Sequence, residues 1–340
     1  PYGECVAPEQ CACWHGWTGD KCHLDALRVH APKLLQGLNP REGAPSLMMH
    51  APSPLSPESN NQRELFVKWT RSVRGGAGAP PWEAFNGSQL QGEDLLLPHV
   101  NRRFASCAAV GNSAGLLQSP AAQVLDEHEV VLRFNNPPVR QYKGAVGSKA
   151  TFQLLSHDFV TKFVSSRGGK AERNKASKDR DKDQGVWLVW QAEDFEEFDF
   201  LRRRYPDHPF TLLAPDFLLP ALAMYKQVVR GLEELNMVQG QQAPPSGFIA
   251  IALLLQICQN VNVYGIDPPE RVPFSEDRPY RYFDNRMPDD INALAAEHML
   301  LRTLHAGRYI TLCTTEHVNR CVGMTPRNAN GVILRAGINW

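Results

Sequence analysis

Short apolar runs alternate along this chain with longer segments whose apolar residues recur at helical spacing. Ala105–Val110, Val130–Phe134, Val186–Trp190 and Val261–Gly265 read as strands buried on both faces, and Pro220–Leu235, Gly247–Gln259 and Asp289–His305 read as helices. Parallel strands need long crossover connections, usually helices, and those helices cover both faces of the sheet. The alternation therefore predicts an α/β sandwich around a largely parallel sheet. Of the 340 residues 43% are hydrophobic and 21% charged, which supplies a core and excludes a disordered chain. Lys+Arg and Asp+Glu both number 36, so no basic field draws nucleic acid or an anionic membrane surface as a default partner. The longest apolar run, Ile249 to Ile257, falls well short of the ~18 residues a membrane helix needs. A soluble chain is expected. It starts at Pro1 with no signal-like segment, so any membrane anchor is expected upstream of residue 1.

Half of the eight cysteines, Cys5, Cys11, Cys13 and Cys22, crowd into the first 22 residues, with Trp14, Gly16, Trp17 and Gly19 between the last two. A zinc site prefers paired ligands two to four residues apart, which the C-x-C here does not supply. The spacing C-x5-C-x-C-x8-C closely resembles the second half of an EGF-like module, a small fold that depends on disulfides because it has almost no core. That resemblance implies a Cys13–Cys22 disulfide, with the partners of Cys5 and Cys11 upstream. Residues 1–24 are thus expected to be a truncated EGF-like fragment in a secretory or extracellular setting, and an Asn-Gly-Ser sequon at Asn86 agrees with that setting.

Pro32, Pro40, Pro45, Pro52, Pro54 and Pro57 fall in a stretch with few large apolar residues, and Gly75–Pro81 is Gly/Pro-rich, so residues 25–95 are expected to be a linker or stem before a domain at 96–340. Residues 167–184 are almost wholly polar and read as a solvated loop. Their Asp179-x-Asp181-x-Asp183 repeat has the form of a metal-holding pair, but no apolar strand precedes it.

The segment Ser106-Cys-Ala-Ala-Val-Gly-Asn-Ser-Ala-Gly-Leu-Leu reads as a strand that turns at Gly111, Asn112 and Ser113 into a helix-like stretch. A glycine at such a turn allows close backbone approach, and amides opening a helix favour a phosphate. The G-x-G-x-x-G fingerprint of dinucleotide folds is missing, which opposes a dehydrogenase-like binder. The whole block from Cys107 to Thr151 resembles the large sialylmotif of the eukaryotic sialyltransferases of glycosyltransferase family 29, through Cys107, Val110–Ser113, Asp126-x-His128, Arg133-x-Asn135 and Val146-Gly-Ser148. A second block, Pro244–Phe248 through Cys258 to Val261–Gly265, is similar to the small sialylmotif. The resemblance covers roughly residues 100 to 320.

It implies a single Rossmann-like α/β glycosyltransferase domain, a GT-A-like variant, that moves a sialic-acid-like sugar with inversion from a CMP donor to a glycan hydroxyl on a glycoprotein or glycolipid. By position, Asn112, Ser113, Asn135, Ser246 and Gly247 would meet the donor. Neutral donors and helix amides suit a leaving group with one phosphate, so no metal and no other cofactor is expected. The resemblance also implies a Cys107–Cys258 disulfide tying the first strand to the second motif's helix, and a place in the Golgi lumen. Mutual pairing of Cys313 and Cys321 is the remaining option.

Two motifs depart from the family pattern. Arg281-Tyr-Phe-Asp284 matches the aromatic motif with Arg281 at its first position, while Tyr282 and Asp284 fit. In the His-x4-Glu motif Glu297 fits, but Asn292 stands where the family has the His taken as general base, and an amide does not take a proton at neutral pH. His298 is six residues from Asn292, about 240° around a helix, and shares an apolar stripe with His305, which reads as structural. Asp289, Asp290 and His157 are the other candidates for a base. Asn292 keeps a second reading open, a catalytically impaired CMP-sugar or glycan-binding protein of the same fold.

Overall fold

The computed structural model describes residues 3–7, 10–13, 17–18, 24–39, 41, 47–48, 96–118, 121–165, 185–191, 194–204, 208–239, 244–267, 279–285, 291–313 and 321. Near the N-terminus β1 (Gly3–Ala7) pairs antiparallel with β2 (Gln10–Cys13), and β3 (Trp17–Thr18) with β4 (Leu24–Asp25). Cys22 and Asn86 lie outside the described residues, as does the Asp179–Asp183 repeat, and the Cys13 side chain is likewise outside them.

Among the described residues the domain is built on seven strands, β5 (Phe104–Val110), β6 (Val130–Phe134), β7 (Phe152–Leu155), β8 (Val186–Val189), β9 (Phe210–Leu212), β10 (Cys258–Tyr264) and β11 (Thr311–Cys313). Their order is β11-β10-β5-β6-β7-β8-β9, and every pair is parallel. The α/β architecture expected from the alternation is the one observed. β6, β7 and β8 are buried at every residue, the pattern of strands covered on both faces. From β5 the chain steps outward through β6 to β9, then returns to lay β10 and β11 on the other side. The order therefore reverses between β5 and β10, the kind of switch point beside which α/β sheets bind ligands in a crevice outside the strand ends.

The helices are α1 (Ala26–Leu34), α2 (Leu97–Asn101), α3 (Ala121–Leu125), α4 (Lys143–Val146), α5 (His157–Ser165), α6 (Phe195–Arg204), α7 (Pro215–Glu234), α8 (Ser246–Ile257) and α9 (Ile291–Ala306). α8 is apolar around its whole circumference, and from Gly247 to Ile257 every residue is buried. It packs on β5, β6, β7 and β10 as well as on α7 and α9, so it has no solvent face to keep polar. α7 begins at Pro215 rather than at Pro220. A proline at the first helical position gives up an amide that has no partner in the helix anyway.

The expected linker differs in its first part. Residues 26–35 form α1 and its C-terminal turn and bury Leu27, Ala31, Leu34 and Leu35 against the domain. α1 packs on α7 and α9, and a Cβ at Gly231 or Gly307 would collide with Leu34 or Leu35. The guanidinium of Arg41 donates to the carbonyls of Cys258 (3.0 Å) and Tyr309 (3.3 Å). Proline content alone does not show this packing, because Leu27, Leu34 and Leu35 find a surface only in the folded domain.

Candidate functional site

Sialylmotif residues divide into a scaffold and a crevice wall. Asp126 belongs to the scaffold: its carboxylate accepts from the Ser148 amide, the Ser148 hydroxyl and the Lys149 amide at 2.8–2.9 Å, which holds the 147–149 turn. Arg133, 1% exposed, donates to the carbonyls of Lys149 (2.9 Å) and Val146 (2.7 Å). His128 is buried and bonds Tyr264 Oη at 3.1 Å, and desolvation with Lys149 nearby pulls its pKa down to about 4, so it is neutral. Asp126 and Arg133 spend these bonds on backbone and so fix the loop after α4.

The wall is formed where β5 ends. A Cβ at Gly111 would clash with the carbonyl of Gly265, so the glycine lets the ends of β5 and β10 meet backbone to backbone. The Gly111 amide donates to Tyr264 O (2.8 Å) and the Ser113 amide to Gly265 O (3.0 Å). The aromatic motif zips onto the same loop, with Ala114 N–H donating to Tyr280 O (3.0 Å) and Tyr282 N–H to Asn112 O (3.1 Å). Asn112 Oδ1 and the Tyr282 hydroxyl are both buried and, among the described residues, neither has a hydrogen-bond partner. A buried polar atom left unpaired costs on the order of 1–3 kcal/mol, so both are groups whose cost a bound molecule would offset. Ser113 Oγ is committed elsewhere, donating to Asp267 Oδ2 at 2.5 Å.

Asn135 follows the last residue of β6 and lies in the left-handed region at φ 59°, a conformation that asparagine tolerates better than most residues. Its Oδ1 accepts from the Ser156 amide at 2.9 Å and thereby ties the end of β6 to that of β7. Ser246 and Gly247 open α8, and Glu297 reaches them from α9. Its carboxylate accepts the Gly247 amide, and a Cβ at Gly247 would run into Glu297 Oε1. Burial of that carboxyl raises its pKa to about 7, opposed by the Gly247 amide. Asn292 is the second residue of α9, and its side chain, with Asp289 and Asp290, lies outside the described residues.

Cys107 and Cys258 form a disulfide, as do Cys313 and Cys321. Cys258 is the first residue of β10 rather than a residue of α8, so the first bond joins two adjacent strands. His298 is buried within α9, and His305 Nδ1 accepts the Leu312 amide at 3.3 Å, which fits a structural role for both.

Two partners on this edge are not among the residues the sequence singles out. Asp267 follows the Val261–Gly265 run, yet its bond to Ser113 spans 154 residues of sequence. Asp194 lies 37 residues from His157, whose Nδ1 sits 2.6 Å from Asp194 Oδ1. An acidic residue after an apolar run is the faint cue available for the first, and the second has none. Among the described residues no cluster of three or more His, Cys, Asp or Glu could hold a metal ion, and no helix is long and apolar enough to cross a membrane.

An all-parallel sheet whose strand order reverses between β5 and β10 defines a doubly wound α/β domain, a class that binds small molecules outside its strand ends. The family model of glycosyltransferase family 29 (sialyltransferase) matches residues 83–309, and the chain belongs to that family. It is 29% identical over 230 residues to the β-galactoside α-2,6-sialyltransferase 2 of Bos taurus, which covers 65% of this chain and 44% of that protein. With the human β-galactoside α-2,6-sialyltransferase 1 it shares 25% identity over 256 residues, 69% of this chain and 57% of that protein. The chain thus spans about half the length of these relatives. A mammalian sialyltransferase solved in complex with Gal-beta-1-3GalNAc-ortho-nitrophenol has the same fold, with a TM-score of 0.51 at 15% identity over 78% of this chain and 89% of that one.

Proposed function

We propose that this chain is an inverting sialyltransferase that moves a sialic acid from CMP to a hydroxyl of a glycan. β-Galactosides are the acceptor class of choice, since the relatives above carry that acceptor in their names. The observation that carries the reading is the buried, unpartnered Asn112 Oδ1 at the β5–β10 crevice of a family 29 domain. Asn112 is the first donor contact proposed, with Asn135 on the next strand and Ser246 and Gly247 at the opening of α8. The positive end of the α8 helix dipole favours the single phosphate of CMP without a cation. Tyr282 closes the crevice from the side, and Glu297 holds the α8 start in place. A secretory-pathway location follows from the family, and the two disulfides suit an oxidising compartment.

Titration calorimetry with CMP in the presence of EDTA tests the reading. Binding is expected with the metal stripped, and NAD is expected to give no heat. Binding that vanishes with EDTA would show that a cation completes the site. Asn292 favours one alternative, a CMP-sugar-binding protein without turnover, which would bind CMP equally well yet neither transfer nor hydrolyse a CMP-linked sialic acid.

A further inference from the structure

Joining a sugar to a hydroxyl requires a group that takes the hydroxyl proton as the new bond forms, and the amide of Asn292 is unable to do so. An imidazole built for that task stands elsewhere on the same edge of the sheet. His157 opens α5, two residues beyond the end of β7. Its Nδ1 lies 2.6 Å from Oδ1 of Asp194, and the aspartate side chain is fully buried while that of the histidine is 43% exposed. The backbone beneath the ring is clamped twice: His157 N–H donates to Gln191 Oε1 at 2.6 Å, and Ser156 N–H donates to Asn135 Oδ1 at 2.9 Å. Nε2 lies 3.4 Å from the Thr161 hydroxyl one turn along the helix.

A carboxylate on Nδ1–H holds the imidazole in the tautomer whose lone pair is on Nε2, and it stabilises the imidazolium formed when Nε2 gains a proton. The location suits the task. β5, β6 and β7 are neighbours, so the end of β7 lies about 10 Å from that of β5 at the usual strand spacing, a distance that a nucleotide-linked sugar laid over Asn112 and Asn135 spans. Asn135, a proposed donor contact, is also the residue that positions the Ser156–His157 backbone.

Resting on the sialyl-transfer reading, we propose that His157 is the catalytic base of this chain and Asp194 its positioning residue. The acceptor O–H proton passes to Nε2. The oxygen's electron pair forms the bond to the anomeric carbon, the bond from that carbon to the phosphate oxygen breaks with its pair left on CMP, and the imidazolium returns its proton to solvent.

The test uses the full chain with CMP-sialic acid as donor and lactose, a β-galactoside, as acceptor, with CMP affinity measured in parallel by calorimetry. His157→Gln and His157→Ala are expected to lower kcat by about 10²- to 10⁴-fold with CMP affinity nearly unchanged. Added imidazole is expected to restore part of the His157→Ala rate, and Asp194→Asn to lower kcat without a matching rise in KM. Full turnover in His157→Gln overturns the proposal, and so does a loss that comes with an equal loss of CMP binding and no imidazole rescue, which would make the pair a fastener of α5. A wild type that binds CMP but neither transfers nor hydrolyses the donor also overturns it. A wild type that fails to bind CMP sinks the sialyl-transfer reading itself.

Discussion

At the scale of the residue, Glu297 shows how one contact links stability to pH. Its carboxyl is desolvated against the start of α8, and its pKa is raised from 4.5 to about 7. A raised pKa means the folded protein holds the proton more tightly than the unfolded chain does. The associated stability is therefore fully present below about pH 4.5 and is lost as the pH rises through about 7. At about 1.4 kcal/mol per unit this amounts to roughly 3 kcal/mol. In Glu297→Gln the amide oxygen still accepts the Gly247 amide and nothing ionises. Relative to that variant, the wild type is expected to lose up to about 3 kcal/mol of unfolding free energy between pH 4.5 and pH 8. Urea denaturation at several pH values measures the difference, and parallel pH curves for the two proteins would place the titrating group elsewhere.

At the scale of the element, the β5–β10 pair carries the site. Six registered residue pairs run from Cys258↔Phe104 to Tyr264↔Val110, and beyond the last the Gly111 and Ser113 amides still donate to Tyr264 O and Gly265 O. The Cys107–Cys258 disulfide closes a loop of 151 residues, worth about 5 kcal/mol in the chain-entropy account. Replacing both cysteines by Ala is expected to lower the unfolding free energy by up to that amount in a urea titration, with weaker CMP binding where the strand ends part. An unchanged midpoint would mean that strand pairing and the cover of α8 suffice. The strands legible in the sequence are those long enough to show an apolar run, such as Val130–Phe134. β9 and β11 have three residues each, too short to show a period, and they are strands because a parallel neighbour supplies their hydrogen bonds.

At the scale of the whole molecule, the described residues between 27 and 48, ahead of the family-matched region, are part of the fold. Leu27, Leu34, Leu35 and Leu47 are buried, Met48 bridges to Leu213, and Arg41 caps two carbonyls of the domain. Fully burying one leucine contributes about 1.5–3 kcal/mol. A chain that starts at residue 83 is therefore expected to unfold at a markedly lower urea concentration than the full chain. Equal midpoints would make α1 a dispensable appendage.

The sequence by itself determined the α/β class, the main strands and helices, the family through its two sialylmotifs, and the Cys107–Cys258 pairing as that family implies it. These rest on local periodicity, or on residue types in a fixed order, and both survive without coordinates. Only the folded chain shows which motif residues spend their side chains on holding backbone. Asp126 and Arg133 turned out to hold backbone, while Asn112 keeps a buried oxygen without a partner among the described residues. Tertiary structure also decided the pairs that span long stretches of chain, Ser113 with Asp267 and His157 with Asp194. Such pairs are set by where strand ends meet across a parallel sheet, and sequence separation carries no trace of that distance.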